Sequence, residues 1–258
     1  MKGPSTPRGF QSAGLRLAVL QHEPETGLGR FAGLLDKAGA TCEVVLATGG
    51  TTPLPAAVRF DGVIALGGSL SAHEPTLLEA RRWIRAAVLG GTPFLGICLG
   101  SQLLASALGG FVRRRSRPVA GVHDIFLTAA GKADPLFSGL PGSFPALGWH
   151  EDIFELPRGA TPLAGSIADE HEAFRFGANA YGLQFHPEVT PDDLFRWASV
   201  PGYAGFLARA GADLHGVRSA LEGAVPELNA LAEHLLERWL HLVTRTAAMR
   251  GRHALVAA

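Results

Sequence analysis

The chain has 258 residues, and its 23 Lys plus Arg balance 23 Asp plus Glu. Apolar residues at 47% and charged residues at 18% exclude a disordered chain and leave enough material for a substantial core in one large domain or two small ones. Zero net charge removes the long-range pull that nucleic acid or an anionic membrane exploits, and two cysteines, Cys42 and Cys98, exclude a disulfide framework and a cysteine-based zinc site.

Residues 1–14, rich in Gly, Pro and Ser, read as a flexible tail. No apolar run reaches the roughly 18–20 residues that cross a bilayer. Residues 15–21 (LRLAVLQ) predict a first strand. Residues 30–39 carry Phe31, Leu34, Leu35 and Ala38 at helical spacing and end on a glycine, as helix C-termini prefer. Residues 41–47 (TCEVVLA) predict a second strand, and 61–66 (DGVIAL) a third that runs into Gly67-Gly68. A helix over 75–89 ends at Gly90-Gly91, a fourth strand covers 93–97 (PFLGI), and a helix over 101–108 closes at Gly109-Gly110. Strands alternating with helices predict an α/β fold, its central, mostly parallel sheet flanked by helices. Ligands in such sheets bind beyond the carboxyl ends of the strands, where Gly67-Gly68 and Gly96–Gly100 both fall.

Past Phe111 the pattern shortens to strand-like runs at 122–127, 144–147, 161–164 and 181–184. Arg113-Arg114-Arg115-Ser116-Arg117 forms the one basic cluster, read as a solvated turn, with an acidic partner or anionic acceptor as the alternative. The C-terminal segment is helical: Leu228, Leu231, Leu235, Trp239 and Leu242 make one apolar stripe. The boundaries that follow are one domain over 15–245 and a second tail over 246–258. With at most one possible disulfide, a reducing cytoplasm is the expected location.

Gly96-Ile97-Cys98-Leu99-Gly100 lies between an apolar strand and a helix, the layout of a nucleophile elbow with cysteine at its centre. The flanking glycines permit a sharp turn in which side chains two residues away would collide. The helix that follows aims free N–H groups at the sulfur, an arrangement that in general favours thiolate. Cys42, in the middle of an ordinary strand, reads as an inert core residue. A thiolate nucleophile needs a base, and the base an orienter. Residues 182–188 (GLQFHPE) supply both, because His186 and Glu188 point to the same side after a strand and pair locally.

On Gly96-Ile97-Cys98-Leu99-Gly100-Ser101-Gln102, Phe185-His186-Pro187-Glu188, Asp61–Gly68 and Trp149-His150-Glu151-Asp152, the chain resembles the class I (triad-type) glutamine amidotransferases. It is most similar to their stand-alone and gamma-glutamyl peptidase-like branch. The resemblance implies a flavodoxin-like fold, Cys98 as nucleophile, His186 as general base and acid, and Glu188 as orienting carboxylate. It implies an oxyanion hole at Gly68 and the Leu99 N–H, with Gln102 and Asp152 at the substrate. His150 reads as structural, and a metal site from His150-x-Asp152 with His186-x-Glu188 is the less economical account. Neither a cofactor nor a metal is expected.

Two departures bear on specificity. Glu172-Ala173-Phe174 stands where stand-alone relatives carry Gln-Ala-Phe, which makes Glu172 a substrate-pocket candidate. Val119-Ala120 stands where relatives often carry an acid. The expected activity is glutamine hydrolysis through a Cys98 thioester, with ammonia passed to a separate synthetase or acceptor enzyme, because the chain has no G-x-x-x-x-G-K-[ST] motif. A gamma-glutamyl peptidase or hydrolase is the alternative, and a non-enzymatic binding module on the same fold is a third reading. Neither nucleic acid nor membrane is an expected partner.

Overall fold

The computed structural model describes residues 14–48, 54–198 and 203–256. Residues 1–13 of the expected N-terminal tail lie outside that range. The elements follow the predicted alternation: β1 (Arg16–Gln21), α1 (Arg30–Lys37), β2 (Thr41–Leu46), β3 (Gly62–Ala65), α2 (Leu78–Leu89), β4 (Phe94–Ile97) and α3 (Leu99–Ala107). There follow β5 (Val112–Leu127), α4 (Ala129–Ala133), β6 (Ser143–Phe154), β7 (Ala160–Gly165), β8 (Ala173–Phe176), β9 (Ala180–Leu183), α5 (Pro191–Ala198), α6 (Tyr203–Ala210), α7 (Leu214–Gly223) and α8 (Val225–Val256).

One nine-stranded sheet runs in the order β2-β1-β3-β4-β9-β8-β7-β5-β6. The strands β2, β1, β3, β4 and β9 pair in parallel, as the alternation predicted, and β8, β7, β5 and β6 extend the sheet antiparallel. The parallel strands are short apolar runs because helices cover both faces. Successive side chains alternate between the two cores: Leu17, Val19, Ile64 and Leu95 face one, while Ala18, Leu20, Val63 and Phe94 face the other. The helices α1 and α8 cover the first through Phe31, Leu35, Leu235 and Trp239. The second is covered by α2 and α3, through Trp83, Ile84, Leu103 and Leu104. A third, smaller core gathers α5, α6 and α7 around Trp149, Trp197 and Phe206.

Three details differ from the sequence reading. The strands β5 and β6 run far beyond the predicted 122–127 and 144–147: the extra half of β5 is charged and largely solvent-facing, without an apolar signal, while that of β6 is mostly buried but interrupts its apolar residues with His150-Glu151-Asp152. The basic cluster is not a turn but part of β5. Its register with β6 breaks between Arg114 and Val119, so that residues 115–118 oppose Glu151 alone, a bulge of the kind that re-aims side chains. Every arginine in it is partnered, Arg113 by Glu155, Arg114 by Glu151, Arg115 by Asp169 and Arg117 by the Ala210 carbonyl. Lastly, α8 continues to Val256, so the expected 246–258 tail is largely helix. Among the described residues no helix is long and apolar enough to cross a membrane.

The stripe of α8 packs on its own domain. Trp239 is fully buried, and its ring reaches the sheet over Gly62, where an added Cβ would lie 3.0 Å from Trp239 Cη2. Trp239→Ala is expected to cost about 3–5 kcal/mol, as for other large aromatic truncations in a core. Leu242→Ala, at the half-buried edge of the same stripe, is expected to cost clearly less. Urea unfolding midpoints of the two variants check this; equal, small losses would mean that the stripe is not core.

Candidate active site

The strand β4 ends at Ile97 and α3 starts at Leu99, which leaves Cys98 alone to make the turn. It does so at φ 49°, and among the described residues no other non-glycine has positive φ. Strain of this kind persists only where the surroundings over-determine it. Here the Cys98 N–H donates to the Leu183 carbonyl at 2.7 Å, and its own carbonyl accepts from the N–H groups of Ser101 and Gln102 and from the Ser101 hydroxyl. Packing forces the glycines: a Cβ on Gly100 would sit 2.2 Å from the Ala65 carbonyl oxygen, and one on Gly96 would sit 2.6 Å from the Gly100 oxygen. The helix α3 is thereby pressed against the sheet, with its Gly100 N–H on the Leu66 carbonyl at 3.1 Å and its Ser101 and Gln102 N–H groups on the Cys98 carbonyl. The Cys98 thiol itself donates to the Trp149 carbonyl at 3.7 Å. Cys42 is half-buried on β2, at the far edge of the sheet from this turn.

The strand beside β4 is β9, so the chain leaving it passes Cys98. His186 is fixed there by its N–H to the Leu147 carbonyl at 2.9 Å. Its Nδ1 donates to Glu188 Oε1 at 2.7 Å, and both side chains are almost completely buried. Burial opposes the charged imidazole, but the Glu188 carboxylate and the neighbouring Cys98 outweigh it and raise His186 above its ordinary value, which makes it the stronger base. With Nδ1 on Glu188, Nε2 is the ring nitrogen left to face Cys98, whose side chain the imidazole meets. Trp197 meets the imidazole edge-on at 5.0 Å between centroids, and Trp149 lies against both Trp197 and Phe206. This aromatic cover keeps water from the pair.

Gly67 and Gly68 divide their work. A Cβ on Gly67 would stand 2.9 Å from His186 Cε1, whereas Gly68 packs on Leu99 and lines the cavity. Neither the Gly68 nor the Leu99 N–H finds an acceptor among the described residues, so both are free to donate to a ligand. Glu23 holds the turn by accepting from the Ser69 N–H and hydroxyl.

Cys98 opens into a cavity of about 270 Å³. Gln102 and Asp152 line it as expected, and they are tied together: Gln102 Nε2 donates to the Asp152 carbonyl at 2.8 Å, and Asp152 Oδ2 accepts from the Ser71 hydroxyl at 2.8 Å. Glu172 does not line it. It is fully buried behind the wall, with one oxygen on His123 Nε2 at 3.2 Å and the other unpartnered. Between Glu172 and the cavity stands His150, whose Nδ1 donates to the Asp152 carbonyl at 3.1 Å. Burial drives His150 down to about 4, so it is neutral at physiological pH. His150, Asp169 and Glu172 bring one donor atom each within 4.8 Å of one another. Arg115 already binds Asp169 and supplies the positive charge that a cation would bring.

Of the outer wall, the sequence reading named Arg114 only within the basic cluster and Glu151 only within the Trp149–Asp152 motif, and it missed Arg209 and Phe206. Glu151, Arg114 and Arg209 line the mouth, with both arginines on the Glu151 carboxylate, and Phe206 lies beside them. Burial would raise Glu151, but hydrogen bonds from Arg209 and Arg114 overcome it and lower it. Arg209 and Phe206 come from α6, remote in sequence from every motif, and no local pattern announces them.

The family model for class I glutamine amidotransferases matches residues 32–194. The chain is 30% identical over 183 residues to the glutamine amidotransferase-like protein YfeJ of Salmonella typhimurium, covering 68% of this chain and 77% of that protein. It is 35% identical over 144 residues to a subunit of the glutamine-hydrolyzing GMP synthase of Methanocaldococcus jannaschii, covering 54% of this chain and 72% of the relative. Against the GMP synthase of Thermomicrobium roseum it is 40% identical but spans 23% of that protein's length. A solved glutamine amidotransferase of Thermotoga maritima superposes with a TM-score of 0.76 at 29% identity, covering 88% of this chain and 98% of that one. A second, from Methylobacillus flagellatus, gives 0.77 at 25% identity over 88% and 94%. Fold and family model together define an α/β protein of the amide-hydrolysing or amide-transferring class. The chain belongs to the class I glutamine amidotransferase family.

His22, under the Gly68 turn, shares the fate of His150: burial lowers it to about 4, and neither ring nitrogen has a partner. A histidine depressed in the fold favours the unfolded state once the unfolded chain protonates. Stability is therefore expected to fall as pH drops from about 6.5 towards 4. Melting temperatures at pH 7.5, 5.5 and 4.5 check this. The decline should be shallower in His22→Leu; an unchanged slope there would contradict a neutral, buried His22.

Proposed function

We propose that the protein hydrolyses the side-chain amide of glutamine through a Cys98 thioester and delivers the ammonia to a separate acceptor enzyme. The observation that carries this reading is the Cys98 sulfur at the floor of a closed-backed cavity, in a strained turn, beside a buried His186–Glu188 pair. Cys98 gives its proton to His186 Nε2 and attacks the amide carbon. The carbonyl oxygen, now negative, faces the free N–H groups of Gly68 and Leu99. His186 passes the proton to the leaving nitrogen, the C–N bond breaks and ammonia departs. Water then attacks the thioester, its proton going to His186. The C–S bond breaks and the sulfur recovers the proton, leaving glutamate.

Glu188 holds the imidazole by Nδ1, so that Nε2 is the nitrogen left to move protons. Asp152 suits the substrate α-ammonium and Gln102 fixes the Asp152 backbone. Glu172 acts from behind, through His150. The Methanocaldococcus jannaschii relative is by name one part of a glutamine-hydrolysing synthase, which fits ammonia use by a partner; a cytoplasmic setting fits a nucleophile that must stay reduced. A gamma-glutamyl peptidase reading keeps the same chemistry, and the opening of the cavity favours it for larger leaving groups.

Cys98→Ala is expected to abolish both ammonia release and covalent labelling by a diazo-ketone glutamine analogue, and Cys42→Ala to leave both intact. Glu188→Gln should still label but lose about 10²–10⁴ in kcat, the usual worth of an oriented acid–base. Mass spectrometry and an ammonia assay read these. Comparable turnover in Cys98→Ala would overturn the assignment, and a protein that never labels, alone or with a synthetase, would be a binding module.

A further inference from the structure

The head of a glutamine-like substrate carries an ammonium and a carboxylate on one carbon. Asp152 suits the ammonium: its Oδ2 accepts from the Ser71 hydroxyl, and no described residue donates to Oδ1, which is left to a ligand. The carboxylate on the same carbon then lies within a side chain's reach of Asp152. Two like charges so close need a cation beside them. Among the described side chains that line the cavity with Cys98, the cations are Arg114 and Arg209, since burial keeps His150 neutral.

Arg114 stands directly across the β5–β6 ladder from Asp152, and side chains opposed in this way share a face of the sheet, with Cβ atoms about 4.5–5.5 Å apart. Glu151 chiefly, and Asp152 in addition, raise the Arg114 guanidinium, as groups within reach of one another do. Arg209 arrives from α6. Glu151 holds the two together: one of its oxygens accepts from Arg114 Nη2, the other from Arg209 Nε and Nη2. Arg114 Nε and Nη1 and Arg209 Nη1 take no acceptor among the described residues, although each guanidinium carries five N–H groups.

Two arginines on one carboxylate leave a single positive charge at the mouth, next to the negative Asp152, which mirrors the charges of the head. The arginines also have room to turn. Residues 115–118 bow away from the ladder opposite Glu151 and open a second cavity of about 490 Å³, which Arg114, Glu151 and Arg209 line from its other side. Both guanidinium side chains are more than half exposed.

We propose that Arg114 and Arg209, held as a pair by Glu151, bind the α-carboxylate of the substrate head, so that β5 and α6 select for an α-amino acid. Arginine forks match carboxylates in geometry and charge. The inference rests on the amide-hydrolase reading of Cys98 and supplies the half of head recognition that no sequence motif carries.

The test reads the rate of Cys98 labelling in the full chain by mass spectrometry. The reagents are the diazo-ketone glutamine analogue, the same diazo-ketone without its α-carboxylate, and iodoacetamide, which has no head. The complete analogue is expected to label about tenfold or more faster than the carboxylate-free one, the worth of a charge-assisted contact. Arg114→Gln and Arg209→Gln, each of which leaves Glu151 one arginine, should each lower that ratio and together bring it close to one. Iodoacetamide labelling should stay unchanged throughout. Equal rates in the wild type, or a ratio that survives both substitutions together, would overturn the proposal. A ratio that falls only along with the iodoacetamide rate would report a disturbed thiol and overturn it as well. The two failures are distinguishable: labelling by both diazo-ketones at one rate loses the carboxylate anchor alone, and labelling by neither loses the hydrolase reading and the anchor with it.

Discussion

Everything at this site depends on one close approach: α3 lies so near β3 that Gly100 has no room for a side chain against the Ala65 carbonyl. That contact removes any relaxed path from β4 into α3 and leaves Cys98 at positive φ. The strain is held by several bonds at once, since the Leu183 carbonyl takes the Cys98 N–H and the first turn of α3 takes its carbonyl. A sulfur placed this way cannot drift from the helix N-terminus. The same geometry presents the Leu99 N–H and sets Gln102 one turn along, facing Asp152. Backbone packing thus fixes three functional groups together.

The second half of the site is fixed from a different direction. His186 follows β9, the immediate parallel neighbour of β4, and is bridged to Leu147 of β6. Glu188 is pinned in turn by α1. Its carbonyl accepts from the Arg30 N–H at 2.7 Å, and Gly29, at φ 47°, has no room for a Cβ beside that oxygen. The Glu188 backbone therefore cannot shift without unseating a helix. Burial strengthens the arrangement, because an imidazolium excluded from water is stabilised chiefly by the charges that face it.

The parallel half of the sheet and the Cys98 turn were legible because their causes are local. Apolar runs bounded by glycines mark strands that are covered on both faces, and Gly96 and Gly100 are required by contacts within the motif's own neighbourhood. The His186–Glu188 spacing was legible for the same reason. The distal ends of β5 and β6 were not, since a ribbon wetted on one side carries Arg113, Arg114 and Arg115 as readily as a turn does. Arg209 and Phe206 were hidden more deeply: their place at the mouth comes from how α6 docks on Trp149, a tertiary fact with no local signature. Helical periodicity located α8 but not its end, because the apolar stripe stops before the helix does.

Glu172 illustrates how a sequence departure is absorbed. An amide at that position would satisfy itself with neutral partners, but a fully buried carboxylate needs positive charge nearby. His123 and Arg115 provide it: His123 donates to one oxygen and is raised by that contact despite its burial, and Arg115 binds Asp169 alongside. The arginine run that first reads as solvated surface is thus partly the counter-charge of a buried acid. His150 joins that cluster to the Asp152 carbonyl, the same oxygen that Gln102 holds. Glu172 thereby lies behind His150, close to the floor of the cavity, without lining it. The bulge that carries Arg115 to Asp169 also opens the second cavity, so compensation of the buried acid and the shape of the mouth are one structural event.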